Sequence, residues 1–183
     1  MEPAVVLVSG APGAGKTTLA GQLSLALGLP LIAKDVIKER LVATLPPPPP
    51  SDHDPLTWSR LVGGAAMDVL WVLANQPVTV MIEANFRPRS SIERERLTAL
   101  QCPVIEVHCW CPPTLAAERY ARRARSGARD PRTHVVTALT DEMLAEFDTP
   151  MGLGELVTVD TSGPVDIGRV AGQVRALLTG TVG

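Results

Sequence analysis

The segment that most constrains this chain is Ser9 to Ala20, SGAPGAGKTTLA, which follows the apolar run AVVLV at residues 4–8. Gly10, Gly15, Lys16 and Thr17 satisfy GxxxxGK[ST], a pattern that is specific when a strand precedes it and a helix follows. Both flanks are present. The run before the loop is β-branched, and TTLAGQLSLAL after it puts Leu19, Leu23, Ala26 and Leu27 on one helical face. Glycines at 10, 13 and 15 let backbone N–H groups converge on phosphate oxygens, the helix offers its positive end, and Lys16 carries compensating charge. Ala11, Pro12, Ala14 and Thr18 complete the expected nucleotide-binding set, and the Thr17 hydroxyl is expected on Mg²⁺. Such a loop serves switches, motors, ligases and kinases alike, so it names the ligand and leaves the reaction open.

The rest of the chain alternates strand and helix. Residues 30–34, 78–85, 104–110 and 156–160 have strand character, mostly as continuous apolar and β-branched runs of the kind expected when both sheet faces are covered. Helical stretches follow at 35–45, 57–75, 89–100 and 113–127, and the last, DIGRVAGQVRALL, sets Ile167, Val170, Val174, Leu177 and Leu178 on one stripe. The alternation predicts a parallel sheet wrapped by helices, with ligands at the carboxyl ends of its strands. Two segments break the pattern: PPPPPSDHDP (46–55), read as a stiff loop or rim, and the polar SGARDPRTH (126–134). The length of 183 residues suits one domain.

With 17 basic against 19 acidic side chains, the charge balance carries no global bias toward nucleic acid or membrane. No apolar run reaches the roughly 18 residues of a membrane span, and the N-terminus lacks a signal-peptide pattern, so a cytoplasmic location is expected. Cys102, Cys109 and Cys111 are odd in number and sit in one apolar stretch, which reads as burial and not as a disulfide framework. Trp71 reads as core, although it and Trp58 could instead border a pocket.

Candidate chemistry gathers after the strands. Asp35 stands at the end of the second strand and at the expected N-cap of the next helix, where a carboxylate could accept a proton from an attacking hydroxyl or could simply cap. Lys38 is expected to hold substrate or Asp35, and Arg40 to lie at the surface. Glu83 occupies the place of the acidic residue that orders Mg²⁺ through water, or else caps loops between strands. Asn85 and Arg87 point to the substrate side. Six arginines lie between Glu118 and Arg132, and Arg119 and Arg123 share one face at i and i+4, able to supply charge to a transition state or to form a solvated or RNA-binding surface. No NKxD-like motif occurs, so adenine is the expected base.

Taken in order, GAPGAGKTT, LIAKDVIKERL, VMIEANF, IEVHCWCPPTLAAERYARRARSG and VTVDTSG resemble the P-loop kinase group. That group includes zeta toxins, chloramphenicol phosphotransferase, gluconate and shikimate kinases, and polynucleotide 5′-hydroxyl kinases. The resemblance implies a three-layer α/β/α fold over residues 1–183 with a five-stranded parallel sheet ordered 2-3-1-4-5. It also implies an arginine-rich lid near 119–134 and a substrate cap near 45–75. It further implies transfer of the ATP γ-phosphate to a hydroxyl, with Asp35 as base, Lys16 and Arg123 catalytic, and Arg119 and Arg129 in support. The chain departs from the group at Lys38, where the polynucleotide kinases usually carry arginine, and at EANF, where shikimate kinases carry a glycine triplet. A small-molecule alcohol is the expected acceptor, a nucleic-acid 5′-hydroxyl the alternative, and a non-catalytic nucleotide-binding module the reading from another class.

Overall fold

A computed structural model describes residues 2–46, 54–126, 132–133 and 135–180. Its centre is β1 (Val5–Gly10), all six residues of which are buried. Alternate side chains of β1 feed opposite faces, as the period of two requires: Val6 and Val8 join one core cluster and Val5 and Leu7 the other. Around it lie β2 (Leu31–Ala33), β3 (Val80–Glu83), β4 (Val104–Trp110) and β5 (Glu155–Asp160), in the order β2-β3-β1-β4-β5. Every pairing is parallel, with Val5 opposite both Val80 and Val104. The expected class and strand order are therefore observed.

Helices close both faces. On one side α1 (Lys16–Leu27) and α7 (Ile167–Gly180) bury Leu19, Ala20 and Leu23 against Val170, Ala171, Val174 and Leu178. On the other, α3 (Pro55–Ala74) and α4 (Ser91–Thr98) contribute Leu70, Trp71, Ala74 and Leu97, with Trp71 tilted against Phe86 at 5.7 Å between ring centroids. Each such large apolar side chain taken out of water contributes about 1.5–3 kcal/mol. The remaining helices are α2 (Lys34–Thr44), α5 (Pro113–Arg125) and α6 (Asp141–Ala145).

Three local expectations change. The helix after β2 begins at Lys34 with Ala33 as its N-cap, so Asp35 lies inside the first turn and does not cap. Asp54 and Pro55 start α3 instead of ending a loop: the Asp54 carboxylate accepts from Leu56 N at 2.9 Å and Thr57 N at 3.0 Å, and proline fits the first helical position. The short α6 was not expected; Thr140 Oγ1 caps it by accepting from Met143 N, and Asp141 and Glu142 occupy its first turn. The proline run beyond Pro46, with the residues up to 53, lies outside the described residues. Cys109 and Cys111 are buried, as expected, Cys102 is half-buried, and all three are free thiols.

Candidate active site

The loop between β1 and α1 is built by glycine geometry. Gly10, Gly13 and Gly15 all have positive φ. A Cβ at Gly10 would stand 2.2 Å from the Cys109 carbonyl oxygen and one at Gly13 2.1 Å from that of Ala116, so the loop is seated directly on the end of β4 and the first turns of α5. Gly15 is the N-cap of α1 and places no side chain over the helix amides, leaving that positive end for an anion. From behind, the Thr161 hydroxyl reaches the Ala14 carbonyl at 2.6 Å and the Trp110 carbonyl at 2.9 Å. Gly10, Ala11 and Ala14 thus shape the loop, whereas Pro12, Gly13, Gly15, Lys16, Thr17 and Thr18 line the cavities beside it.

Lys16 is buried and donates from Nζ to the Ala11 carbonyl at 2.8 Å. Burial lowers its pKa, with the Glu83, Cys109 and Asp35 charges opposing and Arg123 reinforcing that shift. An incoming phosphate would replace the lost solvation with charge of opposite sign. Glu83, at the end of β3, is likewise buried, and its pKa is raised by that burial first, against the pull of Lys16. The Thr17 hydroxyl lies 3.5 Å from Glu83 Oε2. These hard oxygen donors, side by side at the mouth of an anion site, fit a Mg²⁺ that takes its other ligands from phosphate and water.

Two cavities meet at this loop. One, of about 810 Å³, is lined by Gly13, Gly15, Thr18, Gln22, Arg119 and the turn from Thr161 to Ile167. The other, a cleft of about 710 Å³, holds Lys16, Thr17, Asp35, Lys38, Glu83, Asn85 and Arg87. Gly13, Gly15 and Arg123 line both. Of the arginines expected in a lid, Arg119 donates to the Thr161 and Ser162 carbonyls at 2.9 and 3.0 Å, which fixes the turn forming one wall of the first cavity. Arg129 lies outside the described residues.

On the cleft side, Asp35 pairs with its neighbour Lys34 at 3.3 Å. Lys38 is buried, and its ammonium donates to Ser59 Oγ at 2.7 Å and to the Thr133 carbonyl at 2.6 Å, tying α2 to α3 and to the 132–133 segment. Its place in the lining matches the expectation, but those two hydrogen bonds go to protein. Arg87 is exposed, pairs with Glu146 at 3.0 Å and overlies the Phe147 ring. Trp71 is both core and cleft lining. Sequence reasoning gave no site role to Thr161, Ser59 or the turn Gly163 to Ile167. The glycine and proline directly after the last strand could have flagged that turn, while Ser59 and Thr161 have no local pattern.

A central strand running into a glycine-rich phosphate loop, inside an all-parallel sheet of order 2-3-1-4-5, defines the P-loop kinase fold. The chain belongs to the AAA domain family, whose model matches residues 5–150. Comparison with curated proteins gives no match. Among solved structures, a provisionally named kinase from Chloroflexus aurantiacus J-10-fl is 30% identical over 97% of this chain and 99% of its own, with a TM-score of 0.81. A gluconokinase from Sinorhizobium meliloti 1021 is 20% identical with a TM-score of 0.58, the match spanning 97% of this chain and 95% of that one. The Mycobacterium tuberculosis APS kinase CysC, in complex with AMPPNP and APS, is 20% identical with a TM-score of 0.56 over 97% of this chain and 98% of its own.

Proposed function

We propose that the protein is an ATP- and Mg²⁺-dependent phosphotransferase that moves the γ-phosphate to a hydroxyl of a small molecule. The observation that carries this reading is the junction of two cavities at one phosphate loop, with Arg123 lining both and Asp35 in the second. A nucleotide in the first would present its terminal phosphate at the junction, and an acceptor in the cleft would meet it there. The AMPPNP bound by the APS kinase neighbour and the likeness to other kinases support the donor.

In this mechanism the loop amides and Lys16 hold the phosphates, and Arg123 offsets charge on the phosphoryl oxygens as it is redistributed. Thr17 and Glu83 would hold Mg²⁺, which when bound neutralises phosphate charge. Asp35 orients the acceptor hydroxyl and takes its proton, with the Lys34 ammonium 3.3 Å from its carboxylate. Asn85 and Arg87 border the acceptor, and Arg119 with Arg129 supports the nucleotide side.

Within the cleft, Lys34 with Asp35, Arg87 with Glu146, and Arg96 with Asp68 are ion-paired. Such a lining is not a continuous positive trough for a polyanionic strand, which favours a small molecule over a nucleic-acid end. Asp35→Asn is expected to lower kcat by about 10²–10⁴-fold while nucleotide affinity stays constant. Turnover and fluorescent-nucleotide titration measure the two, and unchanged turnover would remove Asp35 from the base role.

A further inference from the structure

The cleft has a face that the transfer chemistry does not use. Val135, Val136, Leu139, Met143 and Phe147 line it from the segment between α5 and β5, and Leu56 and Met67 face it from α3. Leu139, Met67 and Phe147 also pack with the rest of the hydrophobic interior or are themselves buried. Val135, Val136, Met143 and Leu56 are half-buried and belong to neither core cluster, so the apolar surface they retain is cleft surface.

This wall is held in place. At one end the Thr133 carbonyl accepts from Lys38 Nζ at 2.6 Å and from Ser59 Oγ at 2.9 Å. Three residues on, the Val136 carbonyl accepts from Tyr120 Oη at 3.0 Å, from the helix that carries Arg123. The Thr133 and Val136 carbonyls are thereby engaged by protein donors while Val135 and Val136 line the cleft. A second observation points to a ligand. The Thr133 hydroxyl is buried, lies in a residue of the same lining, and has no hydrogen-bond partner among the described residues. A buried hydroxyl left unpaired costs about 1–3 kcal/mol, which a polar group of a bound molecule would recover once the wall adjusts around it.

Resting on the phosphotransferase reading, we propose that the acceptor is a compact alcohol with an apolar body and a second polar group near the reacting hydroxyl, in contrast to a polyhydroxylated sugar acid. The apolar body lies against Val135, Val136 and Met143, its hydroxyl faces Asp35, and its second polar group pairs with Thr133. Transfer forms an O–P bond from the acceptor oxygen to the γ-phosphorus and breaks the bond from that phosphorus to the β–γ bridging oxygen. The acceptor proton passes to the Asp35 carboxylate, ADP leaves, and Asp35 returns the proton to solvent.

The test uses the full chain with ATP and Mg²⁺ and three probes: styrene glycol, D-gluconate and a 5′-hydroxyl oligonucleotide. ADP release with mass detection of the phosphate ester is expected to give styrene glycol a kcat/KM at least about tenfold above gluconate, the range set by burying a few apolar groups. Val136→Asp is expected to raise the styrene glycol KM about tenfold or more, with Val136→Ile restoring it and nucleotide affinity unmoved. Calorimetric binding to the AMPPNP-loaded protein separates the two levels. Binding of styrene glycol that Val136→Asp abolishes supports the inference, and if no probe is then phosphorylated the failure belongs to the phosphotransferase reading. Preference for gluconate or the oligonucleotide, an unaffected Val136→Asp, or no binding of styrene glycol overturns the inference.

Discussion

The two sides of the candidate site are made of different material. On the phosphate-loop side, backbone does the shaping: Gly10 and Gly13 admit no side chain because carbonyls of β4 and α5 already occupy that space. On the Asp35 side, side chains do it, through single contacts such as Lys38 to Thr133 and Tyr120 to Val136. A backbone-built site tolerates almost no substitution and binds what every relative of the fold binds. A site built from side chains can be refitted one residue at a time, and that is where specificity can change without loss of the fold.

The sharpest way to break that contrast is at Gly13. Alanine there would place a Cβ 2.1 Å from the Ala116 carbonyl at φ +88°. Strain of about 1–3 kcal/mol for the backbone and a similar overpacking term give a destabilisation of about 2–6 kcal/mol, with loss of nucleotide binding. Thermal denaturation and nucleotide titration measure both. Gly21 is the control: it lies within α1 with open space around its Cβ position, so Gly21→Ala should stabilise by up to about 1 kcal/mol. Equal effects at the two glycines would mean that the loop is not sterically seated.

A smaller effect is expected on the Asp35 side. Lys38→Met keeps the aliphatic stem and removes the ammonium that joins Ser59 and the Thr133 carbonyl. Hydrogen bonds to a charged donor are worth about 1.5–3 kcal/mol, so stability should fall by that order. The loss should be local. Amide hydrogen exchange is expected to quicken in residues 132–139 and to stay constant in β1 and α1; a uniform change would show that Lys38 holds up the whole fold and not this wall.

The same contrast governs what could be read from the sequence. The parallel sheet followed from the alternation and the loop from glycines at fixed spacing, because each rests on a local rule, whereas the strand order came from the resemblance. Asp35 was expected at the end of the second strand and at the helix N-cap, but β2 ends at Ala33 and Asp35 is the second residue of α2, since a three-residue strand leaves little pattern to mark where α2 begins. Thr161 and Ser59 were invisible for another reason. Their partners are Ala14, Lys38 and Thr133, 147, 21 and 74 residues away, and hydroxyl contacts of that span leave no periodicity. The apolar wall was hidden by its setting, a polar, arginine-rich stretch whose valines gave neither a helical nor a strand period.

The smallest prediction tests the rear of the phosphate loop. His108, on β4, is buried with Nδ1 2.9 Å from Ser9 Oγ and 3.9 Å from Glu106 Oε1. The Ser9 hydroxyl donates to Glu106 Oε1 at 2.5 Å, so the proton shared between His108 and Ser9 belongs to Nδ1. Glu106 also accepts from Met151 N and Gly152 N, joining β1 and β4 to the turn before β5. Burial lowers the His108 pKa from 6.5, opposed by Glu106 and Asp148 and reinforced by Lys16. As pH falls below 6.5 the unfolded chain binds a proton that the folded chain resists. Stability is therefore complete above that value and declines beneath it, by at most about 1.4 kcal/mol per pH unit. Urea unfolding between about pH 5 and 7 should show that slope in the wild type and a flatter one in His108→Asn, which cannot titrate. Equal slopes would mean that His108 takes up its proton as readily inside the sheet as outside it, and the backbone-built side would then owe nothing to this buried network's charge state.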